Sequence, residues 1–183
     1  CDMTLDLFAS LARERRVIAV DRPGHGWSGR PGGLSDADPA RQARLILAGL
    51  RRIGALPCLL VAHSWSGGLA LSAALDHPGD VAGVILVGAA THPWPGGRIS
   101  WYHALGAHPR LGQHFCAIAP AGRLLLDAGL ASAFQPQSPP EDFAERTALP
   151  LLFRPAQFRA NAEDMAGLHA FLTAQQARYP ALT

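Results

Sequence analysis

A parallel α/β sheet flanked by helices is the fold class this sequence predicts, and three observations predict it. Apolar runs rich in Val, Ile and Leu recur at residues 16–20, 58–62 and 81–90. Stretches with helical apolar spacing lie between them. The runs are apolar at nearly every position rather than at every second one, the pattern of strands covered on both faces. A chain of 183 residues, 49% hydrophobic and 16% charged, is long enough for one packed core.

Each element follows from local chemistry. Leu5, Phe8, Ala9, Leu11 and Ala12 share one helical face and lead into Arg16-Val-Ile-Ala-Val20, a β-branched run read as a strand ending at Asp21. Asp38 before Pro39 is a helix start, Ile46, Leu50 and Ile53 share a face, and Gly54 sits where a C-terminal cap belongs. After the break at Leu56-Pro57, Cys58-Leu-Leu-Val-Ala62 reads as a second buried strand. Residues 67–75 read as a helix stopped by Pro78, and residues 81–90 as a third strand. Beyond Ala90 the texture changes to prolines, four histidines within residues 91–114, and helical stretches at 121–133 and 162–176 joined by the loop at 134–142. The division expected is a sheet-bearing core at 1–91 and a helical cap at 92–183, with no further strand.

Composition excludes several function classes. The net charge is +2 with scattered arginines, so no footprint for nucleic acid or an acidic membrane appears, and a small-molecule partner is expected. All 16 basic residues are arginine. Without a lysine amine, a phosphate-binding P-loop, a Schiff base and a Ser-Lys dyad cannot be built from these residues. Cys1, Cys58 and Cys116 are too widely spaced for a disulfide framework or zinc site, which favours a reducing, cytoplasmic setting. No apolar run approaches the ~20 residues of a membrane span, so no membrane partner is expected. The oligomeric state is not legible.

Two motifs compete for attention. Gly24-His-Gly-Trp-Ser-Gly29 is a literal G-x-G-x-x-G, but the next helix waits until Pro39, whereas a dinucleotide site needs its glycines to open the helix that holds the pyrophosphate. A glycine-rich turn is expected instead, with His25 and Trp27 packing it and Asp21 tying down the strand end. The second motif, Cys58 to Gly68, holds two overlapping copies of small-x-Ser-x-small, one centred on Ser64 and one on Ser66. A serine on a tight strand-to-helix turn needs small flanks, because the two backbones approach each other there. The apolar run ends at Ala62, which places Ser64 at the apex and leaves Gly67 and Gly68 to bring the helix close. An ordinary turn that merely contains serines is the competing interpretation.

The stretches "VIAVDRPGHGWSGRP", "LLVAHSWSGGLAL" and "VAGVILVGAA" together resemble the middle of an α/β-hydrolase, in which the corresponding motifs usually read D-x-P-G-x-G-x-S and G-H-S-x-G-G. Ala62 and Ser66 stand where the family usually has glycine, and both are small. The resemblance covers residues 5–90 and implies a partial α/β-hydrolase fold with a helical cap. It implies that Ser64 is the nucleophile of a serine hydrolase acting through an acyl-enzyme, that the Trp65 backbone N–H holds the oxyanion, and that His63 supports the turn. It also implies that the second oxyanion donor precedes Cys1 and that the acid and histidine follow Thr183. The chain is then an internal portion, inactive and aggregation-prone alone. In that fold a further strand lies between residues 16–21 and 58–63, so these would pair directly or stand roughly 10 Å apart across a gap. This chemistry needs no cofactor or metal, and His103, His108 and His114 are too far apart to share one helical face as ligands.

Within the chain His92 is the candidate for a resident base, since it follows the third strand. Trp94 and Trp101 are candidates for the substrate pocket, with Phe115, Phe134, Phe153 and Phe158 as further aromatic residues of the cap. They favour a hydrophobic acyl or ring-bearing substrate over a charged one. Esterase, lactonase, carbon–carbon hydrolase and haloperoxidase chemistry all stay open. The alternative from another class is a noncatalytic ligand-binding or scaffold member of the same fold.

Overall fold

The computed structural model of the chain describes residues 5–182; Cys1 and Thr183 lie outside them. Two parallel strands, β1 (Cys58–His63) and β2 (Val81–Val87), pair in register from Leu59 against Gly83 to His63 against Val87. The helices are α1 (Leu5–Leu11), α2 (Pro39–Arg52), α3 (Ser66–Asp76), α4 (Trp101–Gly106), α5 (Gly112–Ala117), α6 (Leu126–Phe134), α7 (Phe143–Arg146) and α8 (Pro155–Gln175). Short 3₁₀ turns join several of them.

Helix α2 shows why the boundary signals are legible. The Asp38 side chain accepts the Arg41 N–H at 2.7 Å, and Pro39 occupies the first turn, where its missing N–H costs nothing. At the other end Gly54 adopts a φ of 61°, and the N–H groups of Gly54 and Ala55 turn back to the carbonyls of Arg51 and Leu50. A residue with a Cβ would be strained there.

The core forms where three helices meet one face of the sheet. Ala43, Leu47 and Leu50 of α2, Leu69 and Ala73 of α3, Leu168 and Leu172 of α8, and Trp65 are all buried, with Cys58 and Leu60 of β1 against them. Thus α8, which falls in the stretch assigned to the cap, packs into the same core as α2 and α3.

Two expectations about the sheet are corrected. Residues 16–20 are extended but belong to no strand among the described residues, because a β-branched run becomes a strand only when a neighbour accepts its backbone hydrogen bonds. They do not pair with β1 either, whose only described partner is β2. Among the described residues the sheet is also not covered on both faces: Leu59 and Val61 are 56% and 54% exposed, and Ile85 and Val87 are exposed as well. The alternation turns half-buried Leu60 and buried Ala62 toward the helices and Leu59, Val61 and His63 outward.

Smaller shifts follow from local packing. Helix α1 stops at Leu11, residues 119–125 are a 3₁₀ stretch ahead of α6, and α8 begins seven residues earlier than 162, where Pro155 supplies a first-turn proline. No described helix is long and apolar enough to cross a membrane, and Cys58 and Cys116 are free thiols.

Candidate active site at the end of strand β1

Ser64 takes the one position in the β1–α3 connection where the backbone reverses. Its φ is 51°, in the left-handed region that costs a non-glycine residue of order 1–3 kcal/mol and persists only where surroundings enforce it. Enforcement is visible. The Ser64 N–H donates to the Val87 carbonyl at 3.4 Å, and its own carbonyl accepts the Ala90 N–H at 2.8 Å and the Gly67 N–H at 3.1 Å. Ser66, by contrast, is the first residue of α3. The first glycine that follows is sterically required, since a Cβ on Gly67 would come within 2.7 Å of the Ala90 carbonyl oxygen; one on Gly68 would press to 3.1 Å on the Leu172 side chain.

The Trp65 N–H lies just ahead of α3, in the region where a helix offers no acceptor of its own and where its dipole favours negative charge. The Trp65 side chain is fixed from behind. It is buried, its indole N–H donates to the Asp164 carbonyl at 2.9 Å, and the Arg22 guanidinium lies 4.0 Å from the ring centroid.

Asp164 is the hub of that support. It is fully buried on α8 and accepts from Arg22 at 2.5 Å, Arg30 at 2.9 Å and His25 at 3.0 Å, with the Gln42 amide at 3.3 Å. Desolvation pushes the Asp164 carboxyl up, but the His25 hydrogen bond and the two guanidinium charges outweigh it and hold the pKa below its ordinary 3.8. Burial likewise lowers Arg22, against the pull of Asp164. His25 falls below 6.5, chiefly by desolvation, so at neutral pH its Nε2–H donates a hydrogen bond to Asp164 and the contact is not an ion pair.

The hub explains the G-x-G-x-x-G run. Gly24, at φ 84°, lies against α8, where a Cβ would come within 2.6 Å of Ala160. The Gly26 N–H donates to Gln157 at 3.1 Å. Asp21 accepts the Trp27 N–H at 3.1 Å, and Trp27 is 79% exposed beneath Arg154. The motif is a turn clamped to a helix.

A cleft of about 290 Å³ opens at Ser64, lined by Trp65, Ala90, Trp94, Ile99, Met165 and Leu168, with Arg98, Ser100 and His103 as its remaining polar residues. Of the residues selected from the sequence, Ser64, Trp65 and Trp94 meet there. Trp94 is held by its indole N–H to the Arg98 carbonyl at 2.8 Å and by His169 Nε2, which donates to the Trp94 carbonyl at 3.0 Å. Trp101 is 71% exposed and is absent from the lining, packing instead on Tyr102 and Phe115. The His63 side chain is exposed and makes no hydrogen bond among the described residues; the backbone bonds that hold Ser64 come from Val87, Ala90 and Gly67. His92 also lies outside the cleft, bonded to Thr91 and edge-on to Tyr179.

Sequence inspection missed Asp164 and weighed His103 only as a metal ligand. A signal for Asp164 existed: Ala160, Asp164, Leu168 and Leu172 recur at intervals of four, all buried, so a carboxylate sits on the apolar stripe of a helix and must be paired. No such period marks His103. Among the described residues no three His, Cys, Asp or Glu side chains cluster to hold a metal.

Comparison with known proteins adds to this geometry. Residues 2–140 match the sequence profile of a family described as alpha/beta hydrolase fold. A cis-3-alkyl-4-alkyloxetan-2-one decarboxylase of Xanthomonas campestris pv. campestris is 31% identical over 119 residues, 60% of this chain and 39% of the relative. A 2-hydroxymuconate semialdehyde hydrolase of Pseudomonas sp. (strain CF600) is 38% identical over 91 residues, 46% of this chain and 30% of the relative. The crystal structure of wild-type Cfl2 from Burkholderia cenocepacia superimposes with a TM-score of 0.65 at 25% identity, covering 95% of this chain and 61% of that one. The chain thus spans less than two thirds of the length of these relatives.

Proposed function

The chain belongs to the α/β-hydrolase family, and from that premise we propose that it carries the nucleophile and part of the oxyanion site of a serine hydrolase. One observation carries the proposal: Ser64 is held in a left-handed turn at the carboxyl end of β1 and lines an apolar cleft. Strain of this kind presents a hydroxyl clear of both flanking elements.

The chemistry follows from the parts. Ser64 Oγ attacks the carbonyl carbon of an ester-like substrate while its proton passes to a general base. The developing oxyanion is held by the Trp65 N–H, and a single such donor is worth about 10²–10³ in rate. The tetrahedral species collapses to an acyl-enzyme as the leaving alcohol takes a proton, and water then attacks the acyl carbon to release the acid. Among the described residues no histidine is hydrogen-bonded to Ser64.

A turnover experiment tests this. With 4-nitrophenyl esters and the intact native protein, Ser64→Ala abolishes both the burst and steady-state release of nitrophenol, whereas Ser66→Ala retains them. The rival reading is a noncatalytic ligand-binding member of the fold. Ester binding with no Ser64-dependent turnover would support that rival.

A further inference from the structure

The polar residues of the Ser64 cleft are not distributed like its apolar ones, and their charges do not cancel. Trp94, Ala90, Met165 and Leu168 make an apolar wall, while Arg98, Ser100 and His103 follow one another along the chain into α4. No Asp or Glu lines the cleft. The Arg98 guanidinium has no hydrogen bond or ion pair among the described residues, although its backbone carbonyl is engaged by Trp94. The acidic side chains of adjoining α8 are already matched: Asp164 holds Arg22 and Arg30, and Glu163 holds Arg30 and Arg159. Arg98 is therefore an uncompensated cation beside the proposed nucleophile.

His103 adds a second feature without adding charge. Asn161 Nδ2 lies 3.1 Å from its Nε2. An amide nitrogen can only donate, so Nε2 accepts and the ring proton resides on Nδ1. That Nδ1 is buried and has no partner. Burial keeps the ring neutral, which leaves Arg98 as the one formal charge among the residues lining the cleft.

We propose that the cleft selects acyl substrates carrying a carboxylate a few bonds from the scissile carbonyl, with Arg98 as its counter-ion. The apolar wall receives the intervening chain, and Ser64 meets the carbonyl at the far end. The proposal rests on Ser64 being the nucleophile and departs from the expectation of a hydrophobic rather than a charged acyl group. A guanidinium suits this task because its planar donors match a carboxylate in pairs. Being exposed, it is also screened, so the selectivity falls as ionic strength rises.

Two aryl esters with one leaving group test the assignment on the intact native protein: the 4-nitrophenyl monoester of glutaric acid, which is anionic, and 4-nitrophenyl pentanoate, its neutral counterpart. The native protein favours the anionic ester in kcat/KM. Arg98→Gln lowers that preference about tenfold, a factor equivalent to ~1.4 kcal/mol, through KM for the anionic ester, and leaves the neutral ester within about twofold. Arg98→Lys restores part of the preference. An unchanged ratio in Arg98→Gln overturns the proposal. Titration calorimetry with glutaric acid monoamide, an unreactive anion of similar length, separates it from the hydrolase assignment. Binding retained in Ser64→Ala and lost in Arg98→Gln supports the anion site even if no ester is turned over, and equal binding by the native protein and Arg98→Gln refutes it.

Discussion

Replacing Asp164 with alanine should be among the most damaging single changes in this protein. The side chain is wholly buried and answers two guanidiniums, Arg22 and Arg30, whose own side chains are 16% and 10% exposed. Alanine would leave Arg22 largely sealed from water without a counter-ion, leave Arg30 with Glu163 alone, and strand the donor of His25. Breaking a buried pair by removing one partner costs about 3–5 kcal/mol. In a protein of this size each kcal/mol lowers Tm by about 2–4 °C, so Tm should fall by roughly 6–20 °C. Asp164→Asn keeps one acceptor and the shape, and should lose less. Urea unfolding followed by tryptophan fluorescence is the assay, since Trp65 lies against Arg22. A loss below about 1 kcal/mol for Asp164→Ala would refute the reasoning, because it would mean that water reaches the cluster and compensates Arg22 and Arg30.

Stability should also decline on mild acidification. The folded pKa of His25 lies below its ordinary 6.5, so below that pH the unfolded chain binds a proton the folded chain refuses, at a slope of up to ~1.4 kcal/mol per pH unit; His103 acts with the same sign. His25→Gln should flatten the slope between pH 6.5 and 5, and an unaltered slope by calorimetry would exclude His25 as its source. Asp164, whose folded pKa lies below 3.8, should add a further loss as pH falls from about 3.8 toward that lower value. Gly24→Ala should cost about 2–4 kcal/mol, combining a left-handed φ with overpacking on Ala160, whereas Gly29→Ala, with open space around it, should cost under about 0.5 kcal/mol; equal losses would contradict the clamped-turn account of the motif. Trp94→Ala should shift the kcat/KM ratio between short and long acyl esters several-fold and Trp101→Ala should not, because only Trp94 lines the cleft; a larger shift in Trp101→Ala would relocate the acyl pocket.

What was legible in the sequence was what local chemistry alone decides. Asp38-Pro39 and Gly54 delimit α2 because capping needs only neighbouring residues. The end of the apolar run at Ala62 and the pair Gly67-Gly68 locate the turn at Ser64, since steric crowding there is a matter of a few residues. Partnership was harder to read. Residues 16–20 have the composition of a strand but no neighbour to pair with among those described, and no residue within the run reveals that. Trp94 and Trp101 look alike in sequence, yet a hydrogen bond to Arg98 and contact with His169 turn one into the cleft while the other stays exposed. Asp164 lies 122 residues from Gln42 and 142 from Arg22, a separation that no local pattern spans. Even so, its place on the buried stripe of α8 was a clue that a counter-charge had to exist.

The central claim is that Ser64 is a nucleophile and Ser66 a helical residue beside it. Treating the intact native protein with a fluorophosphonate, digesting it and locating the added mass by tandem mass spectrometry tests that claim most directly. Phosphonylation of Ser64, lost in Ser64→Ala and kept in Ser66→Ala, is the predicted result. An adduct on Ser66, or labelling that survives Ser64→Ala, would contradict it.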